Sequence, residues 1–141
     1  MFSDLITTVT RVDCNGVDEN VVRHLADTLV RNARYKSDIA YRQLHQQLLA
    51  RLSRNEGDFT QTLRYLEKAI EYKPSSELNM MMVTTFADAK NFDGARAYID
   101  DARNDLPVHP FQRVVWRNQL DELSRYIDEL EQYHRSESGL N

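Results

Sequence analysis

From Gly57 to Ser76 the chain reads GDFTQTLRYLEKAIEYKPSS, and Leu63, Leu66, Ala69 and Ile70 fall at the three- and four-residue steps that line one face of an α-helix. Both ends of that helix are marked. Gly57 interrupts whatever precedes it, Asp58 suits an N-cap, Gln61 is placed to complete a capping box, and Pro74 prevents continuation.

The same reading extends in both directions. Ser3 can cap a short first helix with Phe2, Leu5, Ile6, Val9 and Val12 at apolar spacing, ending at Asn15-Gly16. Asp18 opens a second, whose stripe is Val22, Leu25, Ala26, Leu29, Val30 and Ala33. A turn at Lys36-Ser37-Asp38 supplies Ser37 or Asp38 as cap for a helix from Ile39 to Arg54, with Tyr41, Leu44, Leu48, Leu49 and Leu52 inward. Ser75 or Ser76 caps the next, Glu77 to Ala89, with Leu78, Met81, Met82, Thr85 and Phe86 on its apolar side. Asn91 to Asn104 forms its antiparallel partner, and Pro110 starts a final helix reaching about His134.

Two of these segments repeat. Phe59 aligns with Phe92, Thr62 with Ala95, Ala69 with Ala102 and Pro74 with Pro107, each pair 33 residues apart. On these residues the chain resembles the tetratricopeptide repeat (TPR) family, whose helical hairpins recur at about 34 residues. Gly57-Asp58-Phe59, Ala69 and Pro74 match the family's second helix, and Phe92, Ala95, Ala102 and Pro107 match again. The family's early aromatic falls at Gln46 and Asn79, its contact glycine at Ala50 and Val83, and Lys90-Asn91 stands in for Gly-Asp. The resemblance implies an all-α, TPR-like array of antiparallel hairpins within a single domain, 1–141. Its parts are a degenerate first hairpin over 3–34, repeats over 39–74 and 76–107, and a terminal helix over 110–134.

In that last helix Trp116, Leu120, Leu123, Ile127, Leu130 and His134 follow a heptad spacing. One reading is a helix covering the open face of the last hairpin, since repeat arrays need atypical ends. The other is a homodimer seam through Trp116, Leu120, Leu123, Ile127 and Leu130.

Composition narrows the class. Charged residues make up 28% of 141 positions, with four Gly and three Pro, as in a soluble helical protein. One cysteine, Cys14, cannot form an internal disulfide. No apolar run spans a bilayer and Met1-Phe2-Ser3-Asp4 lacks signal-peptide character, so a complete chain is expected to be cytoplasmic. The net charge of -4 conceals a basic stretch from Arg23 to Arg54, seven bases against two acids, and an acidic one from Ser76 onward, seven against twelve.

Catalytic patterns are lacking. His24, His45, His109 and His134 are scattered, Cys14 has no base beside it, Asp100 and Asp101 diverge on a helix, and no glycine-rich phosphate loop occurs. No enzyme, metal or cofactor is expected.

In stacked hairpins of this kind the first helices line the concave face. That places Gln47, Arg51 and Arg54 beside Asn79, Met80, Met81 and Thr84 in a groove basic at one end and apolar at the other, suited to an acidic or amphipathic peptide. The expected function is therefore a non-catalytic scaffold or adaptor binding a partner's peptide segment. Two alternatives accompany it. The Arg-rich helix, proline-bounded turn and Trp-bearing last helix also look like C-terminal tails of bacterial membrane proteins such as polysaccharide polymerases, ligases and glycosyltransferases, which would put the domain in the periplasm or envelope. The basic 23–54 segment, with Tyr35 and Tyr41 as stackers, is a weaker candidate for anionic ligands such as nucleic acid.

Overall fold

The computed structural model describes residues 19–32 and 34–137. Among them are six helices and no strand: α1 (Glu19–Arg31), α2 (Ile39–Asn55), α3 (Phe59–Tyr72), α4 (Ser76–Asp88), α5 (Phe92–Arg103) and α6 (Pro110–Glu137). The protein is all-α over this range. The expected first helix, Cys14, Asp18 and Ala33 lie outside the described residues. The described chain divides into two compact units between Ser75 and Ser76.

In the N-terminal unit α1 packs on α2, and α2 packs on α3. Val22, Leu25, Ala26 and Leu29 of α1 interlock with Leu48 and Leu52 of α2, and Tyr41, Leu44 and Leu49 pack around them. Val30, expected in the α1 stripe, is exposed. Asp38 is the N-cap of α2, accepting from the Ala40 N–H at 2.9 Å. Gln43 Nε2 donates to the carbonyls of Ala69 (3.0 Å) and Lys73 (2.6 Å), so α2 adds a second donor to Ala69, which already accepts from Lys73 N–H, and supplies one to Lys73 just past the end of α3.

In the C-terminal unit α4 and α5 form a hairpin, and α6 packs on both. Val83, Ala87, Phe92, Ala95 and Ile99 of the hairpin enclose Leu120, Leu123 and Ile127, with Leu130 packed alongside. Of the residues read as a dimer seam, Leu120 and Ile127 are fully buried inside the chain, Leu123 nearly so, and Leu130 and Trp116 are half-buried. The heptad spacing serves as a covering face. Arg96 fixes the rim of that contact, with Nη2 at 2.9 Å from Asp128 Oδ1 and 2.8 Å from Glu131 Oε1, while Arg103 Nη2 meets Asp121 Oδ1 at 2.9 Å.

The 33-residue recurrence is written into the backbone of the two bends. In the first, N–H groups of Glu56, Gly57 and Asp58 donate to the carbonyls of Leu52, Arg54 and Ser53; in the second, those of Ala89, Lys90 and Asn91 donate to Thr85, Ala87 and Phe86, each one 33 positions on. Asp58 then accepts from Gln61 N–H at 3.1 Å and Asn91 from Gly94 N–H at 2.9 Å. Gly57 turns with φ +79° and Lys90 with φ +59°, so the lysine adopts the left-handed backbone usually left to glycine. Gly94 is glycine for a different reason. A Cβ there would come within 2.6 Å of Asn91 Nδ2 and 2.9 Å of the Phe86 ring.

Candidate functional site

The residues expected to line a groove divide between the two units. In the N-terminal unit, Gln47 and Arg54 are half-buried on α2, and Arg51 is buried at 9% exposure. Arg51 is thus withdrawn from the surface it was expected to charge. The cause is that α2 is buried around much of its circumference: Gln46, Ala50 and Ser53 are buried as well as Leu48 and Leu52.

In the C-terminal unit, Asn79 is also removed from the expected lining. It is 4% exposed, and its Oδ1 accepts a 2.6 Å hydrogen bond from the Tyr98 hydroxyl. Burial raises the Tyr98 phenol to about 12, so it stays a donor at any ordinary pH. The adjacent methionines separate by helical phase: Met80 is exposed, Met81 half-buried and Met82 buried. Thr84, one turn on from Met80, donates its hydroxyl to the carbonyls of Met80 (2.9 Å) and Met81 (3.1 Å). With that donor spent within the helix, Met80, Met81 and Thr84 offer a partner dispersion contact more than hydrogen bonding.

The basic segment is partly consumed internally. Arg23 bridges Glu19 (3.2 Å) and Glu56 (2.7 Å), and its guanidinium is held still more firmly protonated chiefly by the Glu56 hydrogen bond. Arg42 lies 5.3 Å over the Tyr72 ring, a cation–π contact. Tyr35 meets His45 edge-to-face at 5.5 Å, with its hydroxyl 3.4 Å from Nδ1. Burial lowers the His45 imidazole, with Asp27 opposing. Arg23, Arg42 and Arg51 are therefore committed to partners or to burial, and Tyr35 is not an open stacking platform.

A feature outside the expected set lies in the C-terminal unit. Phe92, Tyr126, Leu130, Tyr133 and His134 line a mostly apolar hollow of about 310 Å³, to which Asp88 and Lys90 also contribute. Phe92 and His134 pack with ring centroids 6.1 Å apart, and the Tyr133 hydroxyl donates to Glu137 at 2.9 Å. Toward the other end of α6, Phe111, Val114 and Val115 are exposed, and Val108 just before it is 93% exposed. The heptad reading followed the inward stripe and passed over this second one. The signal available was an acid-free run from Leu106 to Leu120 holding Val108, Phe111, Val114 and Val115.

Among the described residues, no group of three or more His, Cys, Asp or Glu is placed to hold a metal ion, and no helix is long and apolar enough to cross a membrane. Comparison with protein-family models, curated proteins and solved structures finds no match.

Proposed function

We propose that the chain is a non-catalytic, TPR-like binding scaffold that takes a peptide segment of a partner on α4, the first helix of its second hairpin. The supporting observation is the face of α4 made by Met80, Met81 and Thr84. An exposed methionine sits beside a half-buried one on a helix whose other sides are occupied by Leu78, Asn79, Met82, Val83 and Thr85. A flexible thioether surface on a rigidly seated helix suits varied apolar side chains. The 33-residue recurrence of bend hydrogen bonds supports the TPR-like part of the reading, because a duplicated hairpin is the unit from which such scaffolds are built. Asn79, buried beside this face and bonded to Tyr98, helps to hold α4 in place.

The test is selection of peptides from a random display library against the full chain, followed by binding to Met80→Asp and Thr84→Asp variants with unchanged helical content. Selected peptides are expected to lose at least about tenfold in affinity for Met80→Asp. Equal binding to wild type and both variants excludes this face.

A further inference from the structure

We propose that α6 is a self-association surface: a second copy of this chain docks along it in antiparallel orientation. The exposed apolar knob of one copy, centred on Phe111, enters the hollow between Tyr126 and Tyr133 of the other.

Four observations carry this. Phe111 is 72% exposed and Val115 45%, while Tyr126 is 43% and Tyr133 61%, so α6 keeps a second apolar stripe after its inward face has been buried. At about 100° per residue, positions 111, 115, 126 and 133 fall within roughly 60° of one another, so knob and hollow face the same way. Along the axis, however, Phe111 and Leu130 are separated by about 28 Å at ~1.5 Å per residue. One helix cannot fill its own hollow, whereas an antiparallel pair fills both. At about 310 Å³ the hollow exceeds the ~150 Å³ that accommodates benzene, so an aromatic ring fits.

Charge favours the same pairing. From Pro110 to Leu120 the helix carries Arg113 and Arg117 and no acid; from Asp121 to Glu137 it carries six acids and two arginines. Antiparallel alignment sets the basic half of each copy against the acidic half of the other, and parallel alignment sets like against like. The contact is isologous, made twice about a two-fold axis, and so closes at a dimer.

Sedimentation analysis of the full chain over a concentration series tests the proposal. The expected result is a monomer–dimer equilibrium that weakens with added salt. Phe111→Asp and Tyr133→Asp, both at exposed positions, should each raise the dissociation constant at least about tenfold without altering the helical spectrum. An equimolar mixture of these two variants keeps one intact knob-and-hollow contact and should dimerise more than either alone. A wild-type chain that stays monomeric throughout overturns the proposal, as does a dimer indifferent to both variants. A monomer that instead binds phosphatidylserine vesicles through Phe111 overturns it too, and assigns the stripe to an anionic lipid surface.

Discussion

The hairpin of α2 and α3 and the hairpin of α4 and α5 share a bend down to individual hydrogen bonds, yet each is covered in its own way. In the N-terminal unit the additional helix, α1, comes first in the chain and packs on α2. In the C-terminal unit the additional helix, α6, comes last and reaches both α4 and α5. The residues facing these tasks differ at equivalent positions. Arg96 and Arg103 hold the rim of α6 through Asp128, Glu131 and Asp121, whereas the positions 33 earlier are Leu63 and Ile70, both half-buried. Hydrogen bonding to Arg96 is also what lowers the Glu131 carboxyl below its ordinary value. Apolar area supplies most of the attraction in either case, and the ion pairs add direction: they specify which side of α6 meets α5. Two hairpins can thus share a bend while their outer faces are built for different neighbours.

The largest expected effect comes from the small residues late in the second helices. Ala69 is fully buried and Ala102 only half-buried, although the repeat makes them equivalent. Ala69→Arg forces a charge into a closed contact and should cost about 3–5 kcal/mol. Ala102→Arg can direct its guanidinium outward and should cost roughly 1–2 kcal/mol. Chemical denaturation of both variants checks the difference, and equal losses would mean that the equivalence extends to packing.

A smaller contrast concerns the buried amides Gln46 and Asn79. The Asn79 Oδ1 is bonded to Tyr98, whereas the Gln46 Oε1 has no hydrogen-bond partner among the described residues. Tyr98→Phe should therefore cost about 1–2 kcal/mol by orphaning a buried acceptor, while Gln46→Leu should be neutral or slightly stabilising. Denaturant midpoints of the two variants measure this directly.

The smallest contrast lies in the bends. Gly57→Ala should lose about 1 kcal/mol, and Lys90→Gly should gain about 0.5–1 kcal/mol by relieving a left-handed backbone on a residue with a Cβ. Thermal melts of this pair should move in opposite directions.

These comparisons also mark how far the residues themselves could be read. Helix ends were legible because Asp38, Gly57, Asp58, Asn91 and Pro110 act through local chemistry. So was the inward stripe of α6, whose spacing is regular and whose polar residues stay outside. The burial of Gln46, Arg51 and Asn79 was not legible, since apolar periodicity assumes one buried face and α2 and α4 are enclosed on more than one. The hollow beside Tyr133 was hidden for another reason: it joins residues from Ala87 to His134 that no local pattern connects.

The bend itself has an implication for how such a chain changes over time. Donors and acceptors that shape it all lie within 52–62 in one copy and 85–95 in the other. Within those spans only Phe59 and Phe92 are identical at equivalent positions. What the two bends share is mainly a path of the main chain, completed by one side-chain cap in each, Asp58 and Asn91. The eleven-residue segment can therefore change at most of its positions and keep these hydrogen bonds, provided that the capping acceptor and the left-handed residue before it are retained.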